Sequence, residues 1–299
     1  MPYDEWNRKK NLIYNKLLYK ELSILLNQMD FNYAVLKGEP LSYYAYGQYG
    51  MRNSSDIDIL IDRCNMEKMD ILLKKSGYTC KPLRREDAIT LFMYSHQYIP
   101  WYKTLGNGIV VIIDINIDIF WGEYNGKRIK INDLLSNYIE QDIYKTKIKT
   151  LSIYDTFVQL VLHHYKEMNS IYILSWQNAI HYEILIDIYK LLQNNKNELT
   201  VNKIYDISNK YNIKKYVYYI LYYTNALYRD PELEPYLEAL YSTEGAKLID
   251  CYGLSEEEQR QWKYPFTERL NNNKLFDCIK DDLTYKDFEK IKRNNYLFN

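Results

Sequence analysis

Two short runs of the chain carry carboxylates in a pattern that could do chemistry. In Asp56-Ile57-Asp58-Ile59-Leu60-Ile61-Asp62 the odd positions are isoleucine, and the even ones include Asp56, Asp58 and Asp62. Side chains alternate across a strand, so the spacing predicts isoleucines against a core and aspartates together on the opposite face. A second run repeats the pattern. Positions 109, 111, 113, 115, 117 and 119 are Ile or Val, and the even face carries Asp114, Asn116 and Asp118.

Carboxylates gathered on one sheet face repel one another. At ~4 Å the Coulomb energy is about 4 kcal/mol for an effective dielectric near 20. A hard divalent cation offsets this, and Mg²⁺ prefers oxygen ligands and phosphate. Asp56 and Asp58 are ~6.6 Å apart along an extended strand, which suits a pair of ions ~3.5–4 Å apart, with a third carboxylate from a neighbouring strand completing the site. Such a site performs phosphoryl or nucleotidyl transfer. Asp114 and Asp118 share a face but lie ~13 Å apart, so one ion cannot bind both. Lys37 and Arg52 could contact phosphate oxygens, or could instead pair with the aspartates and hold the loop.

Competing chemistries are poorly served. Read as a calcium loop from Asp56, the sequence puts Leu60 at position 5 and Ile61 where glycine is needed, which excludes an EF-hand. Gly122-x-x-x-Gly126-Lys127 is one residue short of a P-loop and continues with Arg128. Cys64, Cys80, Cys251 and Cys278 form no C-x-x-C pair. Adjacent His163 and His164 point about 100° apart on a helix, which favours core packing over joint chelation. Asp187 reads as a structural partner, and His96 is a candidate to face the site. The run Tyr216 to Tyr223 has helical spacing and little basic charge, so packing explains it better than base stacking.

The elements that must position these residues follow from periodicity. A helix is predicted from about Glu5 to Met29, a strand over Tyr33–Leu36, a helix from Pro40 to Tyr46, and a strand over Asp56–Ile61. A helix over Met66–Ser76 closes on Gly77. Leu91 to Lys103 and Ile109 to Phe120 read as two hairpin strands joined by Gly106-Asn107-Gly108. Beyond about Asn132 the pattern is helical: Ser152-x-x-Asp155 forms a capping box, and helices are predicted over about Ser175–Asn194, Thr200–Tyr211 and Lys214–Tyr228. This gives an α+β class, a mixed sheet flanked by helices in residues 1–131, and an all-helical domain in residues 132–299.

With 299 residues, 39 basic and 39 acidic side chains, and 47% hydrophobic residues, the chain has enough apolar material for two cores. The charge balance disfavours a nucleic-acid coat or a polybasic membrane surface. The N-terminus lacks a signal-peptide layout and no apolar run approaches a membrane span, so a cytoplasmic, membrane-free protein is expected. Tyrosine, at 34 residues, reflects compositional bias and carries little functional weight.

Leu36-Lys37-Gly38, then Arg52-x-x-Ser55-Asp56-Ile57-Asp58-Ile59-Leu60, then Ile113-Asp114-Ile115-Asn116 resemble the polymerase-beta-like nucleotidyltransferase superfamily. More narrowly they resemble a poorly characterised bacterial family with L-K-G, R-x-x-S-D-I-D-x-L and D-x-H motifs. The resemblance covers roughly residues 15 to 125 and, more loosely, the helices containing His163-His164 and Asp187-Ile188. It implies that Gly38 begins the helix cradling the nucleotide phosphates, alongside Lys37, Arg52 and Ser55. It also implies that Asp56, Asp58 and Asp114 hold two Mg²⁺ ions, with Mn²⁺ as a substitute, and that Asp114 orients the acceptor hydroxyl. Two positions depart from the pattern: Glu39 replaces a small or hydroxyl residue, and Asn116 replaces the histidine of D-x-H. The expected reaction is transfer of an NMP, AMP from ATP above all, to a hydroxyl or phosphate, with release of pyrophosphate. The helical domain would close the cleft and select an acceptor, with a small molecule, peptide or protein favoured over tRNA. The alternative is a catalytically silent nucleotide- or partner-binding module of the same fold.

Overall fold

A computed structural model of the chain describes residues 5–52, 54–176, 180–270 and 272–298. Asn53 of the expected loop and residues 177–179 of the expected Ser175–Asn194 helix lie outside the described residues. The chain divides into two compact units, Met1–Ile119 with Ile129–Thr156, and Phe120–Arg128 with Phe157–Asn299.

The first unit is built on leucines at helical spacing. α1 (Glu5–Leu26) buries Leu18, Leu22, Leu25 and Leu26. β1 (Tyr33–Leu36), α2 (Gly38–Tyr46), β2 (Ile57–Ile61) and α3 (Met66–Lys75) follow. Then come β3 (Thr79–Cys80), α4 (Arg85–Tyr94), β4 (Trp101–Thr104), β5 (Val110–Asn116), α5 (Ile131–Ser136), β6 (Ile139–Ile143) and β7 (Thr146–Thr150). Among the described residues the seven strands form one mixed sheet, in the order β3-β4-β5-β2-β1-β7-β6. β2 runs parallel to β5 and antiparallel to β1. The odd-numbered isoleucines of both motif strands, Ile57, Ile59, Ile61, Ile113, Ile115 and Ile117, join the α1 leucines and Met69 and Leu73 of α3 in one apolar core. The alternation read from sequence is thus the division between core and site.

Two expectations are corrected. The strand expected from Leu91 is instead α4 up to Tyr94, and β4 starts only after Pro100. An apolar run of this length fits either period, and Glu86 and Asp87 in the first turn favour the helix. The β6–β7 hairpin occupies a stretch expected to be helical, and it belongs to the compact unit that carries the sheet. Its two-residue turn, Tyr144-Lys145, has φ of 54° and 68°. Glycine or asparagine ordinarily marks such a turn, and neither is present.

α6 (Ile153–Asn169) is begun by the capping pair Ser152 and Asp155, and from Phe157 onward it belongs to the second unit, where Phe157, Val158, Val161 and Leu162 are buried. α7 (Ile171–Leu174), α8 (Tyr182–Asn194), α9 (Val201–Lys210) and α10 (Lys214–Tyr228) follow. Thr200 caps α9 as its position predicts. Tyr216, Tyr219 and Tyr223 of α10 are buried, so these rings pack. α11 (Glu234–Leu240), α12 (Thr243–Leu248), the small ladder of β8 (Cys251–Tyr252) with β9 (Arg260–Gln261), α13 (Phe266–Arg269) and α14 (Tyr285–Phe298) complete it. The ladder is the one departure from an all-helical region among its described residues. No helix among the described residues is long and apolar enough to cross a membrane.

Candidate active site

The parallel register of β2 and β5 pairs Ile57 with Ile113, Asp58 with Asp114 and Leu60 with Asn116. Because both strands put their odd residues in the core, Asp58 and Asp114 stand side by side on the other face. Asp56 lies one pleat before Asp58. Its Oδ1 accepts from the Ser55 hydroxyl at 3.4 Å, while the Ser54 hydroxyl donates to its backbone carbonyl at 2.8 Å.

β1 borders β2 on the other side, with Leu36 opposite Asp58. The next residue, Lys37, reaches across so that its Nζ lies 2.9 Å from Asp58 Oδ2. Asn116 Nδ2 donates to Asp58 Oδ1 at 3.0 Å. Both oxygens of this carboxylate, which is 7% exposed, are therefore engaged. Asp114 Oδ2 accepts from Gln97 Nε2 at 2.9 Å, whereas its Oδ1 is buried with no hydrogen-bond partner among the described residues.

The electrostatics record the crowding. Burial, then the charges of Asp58 and Asp56, push the Asp114 pKa up to about 7, against the opposing pull of Lys37 and Gln97. Asp56 is raised too, first by burial and then by Asp58. The three carboxylates thus raise one another's proton affinity even with the Lys37 ammonium beside them. The donor set is all oxygen, and an orphaned Asp114 oxygen belongs to it, which fits a hard divalent cation.

The Lys37-Gly38 turn opens α2. Lys37 has φ 49° and Gly38 φ 46°. A Cβ at position 38 would stand 3.2 Å from the Tyr19 hydroxyl, so the positive φ favours glycine and any side chain there would have to push that hydroxyl aside by a few tenths of an ångström. Glu39, expected only as a lost hydroxyl donor, is a buried structural anchor. Its Oε1 accepts from Asn15 Nδ2 at 2.6 Å and from the Tyr144 hydroxyl, and its Oε2 accepts from the Gly50 amide at 2.9 Å. This network holds the start of α2 to α1 and to the tip of the β6–β7 hairpin. Arg52 is half-buried in the turn before Ser54.

The structure thus brings together Asp56, Asp58, Asp114, Lys37 and Ser55, with Gly38 at the adjoining turn. Asp118 lies beyond the end of β5, where its amide donates to the His96 carbonyl at 3.2 Å. Gln97, beside the candidate His96, carries the contact to Asp114. Sequence reasoning missed Gln97 because its segment read as regular strand. Asn116 was legible as a member of the acidic face, though its bond to Asp58 was not. Asp187 is buried on α8.

Of the histidine pair, His164 is buried, as the packing reading expects, and His163 is half-buried. His163 Nε2 and His164 Nδ1 converge on one carboxylate, Glu167, at 3.0 and 3.1 Å. Burial would raise the Glu167 pKa, but the two imidazoles outweigh it and hold this carboxyl well below its usual range.

A comparison with curated proteins gives no match. A family model described as an uncharacterised nucleotidyltransferase matches residues 4–229, well over half of the chain. With its three acidic side chains gathered beside a glycine turn, the chain belongs to that nucleotidyltransferase family.

Proposed function

We propose that the protein transfers a nucleoside monophosphate, AMP from ATP above all, to a hydroxyl or phosphate of an acceptor, and that its helical unit carries acceptor selectivity. The observation that supports this most strongly is the side-by-side placement of Asp58 and Asp114 with Asp56 one pleat away. Two divalent ions of the Mg²⁺ class, held by Asp56, Asp58 and Asp114, would supply charge neutralisation at the triphosphate and activation of the attacking oxygen.

The chain's own residues do the rest. Lys37 neutralises Asp58 before substrate arrives and can exchange that partner for a phosphate oxygen. The Gly38 turn and the N-terminus of α2 admit phosphate close to the backbone. Ser55 and Arg52 offer a hydroxyl and a guanidinium to the same oxygens. Asp114, whose affinity for a proton is raised near neutrality, is suited to take the proton from the acceptor hydroxyl. The acceptor oxygen bonds to the α-phosphorus, the bond to the bridging oxygen breaks, and pyrophosphate leaves.

The test is incubation with ATP, GTP, CTP and UTP plus Mg²⁺ across a panel of acceptors, reading pyrophosphate. Wild type should release it and Asp56→Asn/Asp58→Asn should not. Equal behaviour of the two proteins would favour the silent module, and orthophosphate in place of pyrophosphate would mean a phosphohydrolase.

A further inference from the structure

We propose that one turn of α6 binds a divalent metal ion of the zinc class through His163, His164 and Glu167. This site lies in the second unit and differs in chemistry from the aspartate cluster.

On an ideal helix adjacent side chains diverge by about 100°. Here the two rings instead approach, with centroids 5.5 Å apart at 54°. One ligand atom from each of the three residues lies within 4.8 Å of the others. Each ring nitrogen that faces the carboxylate is already 3.0 or 3.1 Å from it. A tetrahedral ion with ligands at ~2.0–2.1 Å sets its donors ~3.3 Å apart, so side-chain adjustments of about 1 Å close the cluster.

His164 is only 3% exposed, and the nitrogen it turns toward the cluster, Nδ1, already faces the Glu167 carboxylate. Two imidazoles and one carboxylate make a borderline donor set that suits Zn²⁺ over Mg²⁺, whereas the three aspartates make a hard one. Three protein ligands leave a coordination position for water or a further ligand. His163 and Glu167 are partly accessible, which gives the ion a way in.

The test is equilibrium dialysis of the full chain against Zn²⁺ with excess Mg²⁺ present to occupy the aspartates. Wild type should retain one equivalent. His163→Ala and Glu167→Gln, each checked for folding by circular dichroism, should bind at least about tenfold more weakly. Asp56→Asn/Asp58→Asn should bind zinc as wild type does. Wild type retaining no zinc, or either single variant matching it, would overturn the proposal, as would loss of zinc in the aspartate variant. Should the single variants not fold, Co²⁺ in the wild-type chain decides. A spectrum of low-coordinate, imidazole-bound cobalt supports the site, and one of the free aqueous ion rejects it.

Discussion

Asp58 on β2 and Asp114 on β5 are direct partners in a parallel ladder, so each carboxylate is built into the other's surroundings. Lys37 offsets one of the charges, from 2.9 Å away. The carboxylates raise one another's proton affinity all the same, and that has measurable consequences.

The first concerns stability and pH. A carboxyl whose folded pKa exceeds its unfolded value favours the fold while protonated. That stability is present below the ordinary carboxyl value of 3.8 and is lost as pH rises through about 7. In chelator, the Tm should fall as pH rises from about 4 to 7. Asp114→Asn should flatten this dependence and raise the Tm at pH 8 by roughly 3 °C or more. Scanning calorimetry of the two proteins checks it.

Divalent binding is linked to the same proton. Below pH 7 the site must release it to bind an ion, so the apparent Mg²⁺ affinity should rise about tenfold per pH unit and level off above neutrality. Titration calorimetry in buffers of different ionisation enthalpy should detect about one proton released per binding event at pH 6. Heats that do not depend on the buffer would contradict this.

Lys37 and Asp58 should respond unequally to substitution. Lys37→Met removes an ion-pair partner 2.9 Å from a carboxylate crowded by two others, and should cost about 3 kcal/mol in urea unfolding. Asp58→Asn relieves repulsion as it breaks the pair, so its cost should be much smaller. Equal losses would mean that the aspartates do not repel one another appreciably.

The Glu39 anchor predicts an effect on the phosphate-facing turn without contact with substrate. Tyr144→Phe removes one hydrogen bond to Glu39 and should cost about 1–2 kcal/mol. Gly38→Ala meets both the positive φ and the Tyr19 hydroxyl, and should cost about 1–3 kcal/mol. Chemical denaturation measures both, and nucleotide affinity should fall more for Gly38→Ala.

How far the sequence announced this site depended on the kind of signal. Period-two alternation at Asp56–Asp62 and at Ile109–Ile119 placed the acidic face, because a strand has only two faces and isoleucine claims one of them. Helices with plain leucine periodicity or caps, such as α1, α9 and α10, were legible for the same local reason. The β6–β7 hairpin was not, since its turn carries Tyr144 and Lys145 where glycine would announce it. What holds that turn is Glu39, more than 100 residues earlier in the chain. The convergence of His163 and His164 on Glu167 was also hidden, because helical geometry gives the direction of a Cβ and not the rotamer beyond it.

The most direct measurement is binding of a non-hydrolysable ATP analogue with and without Mn²⁺, in wild type, Asp56→Asn and Asp114→Asn. Wild type should gain at least about tenfold in affinity from the ion, and each variant should lose most of that gain although the substitutions lie on different strands. A metal-dependent gain that survives in either variant would show that the two strands do not share one cation site.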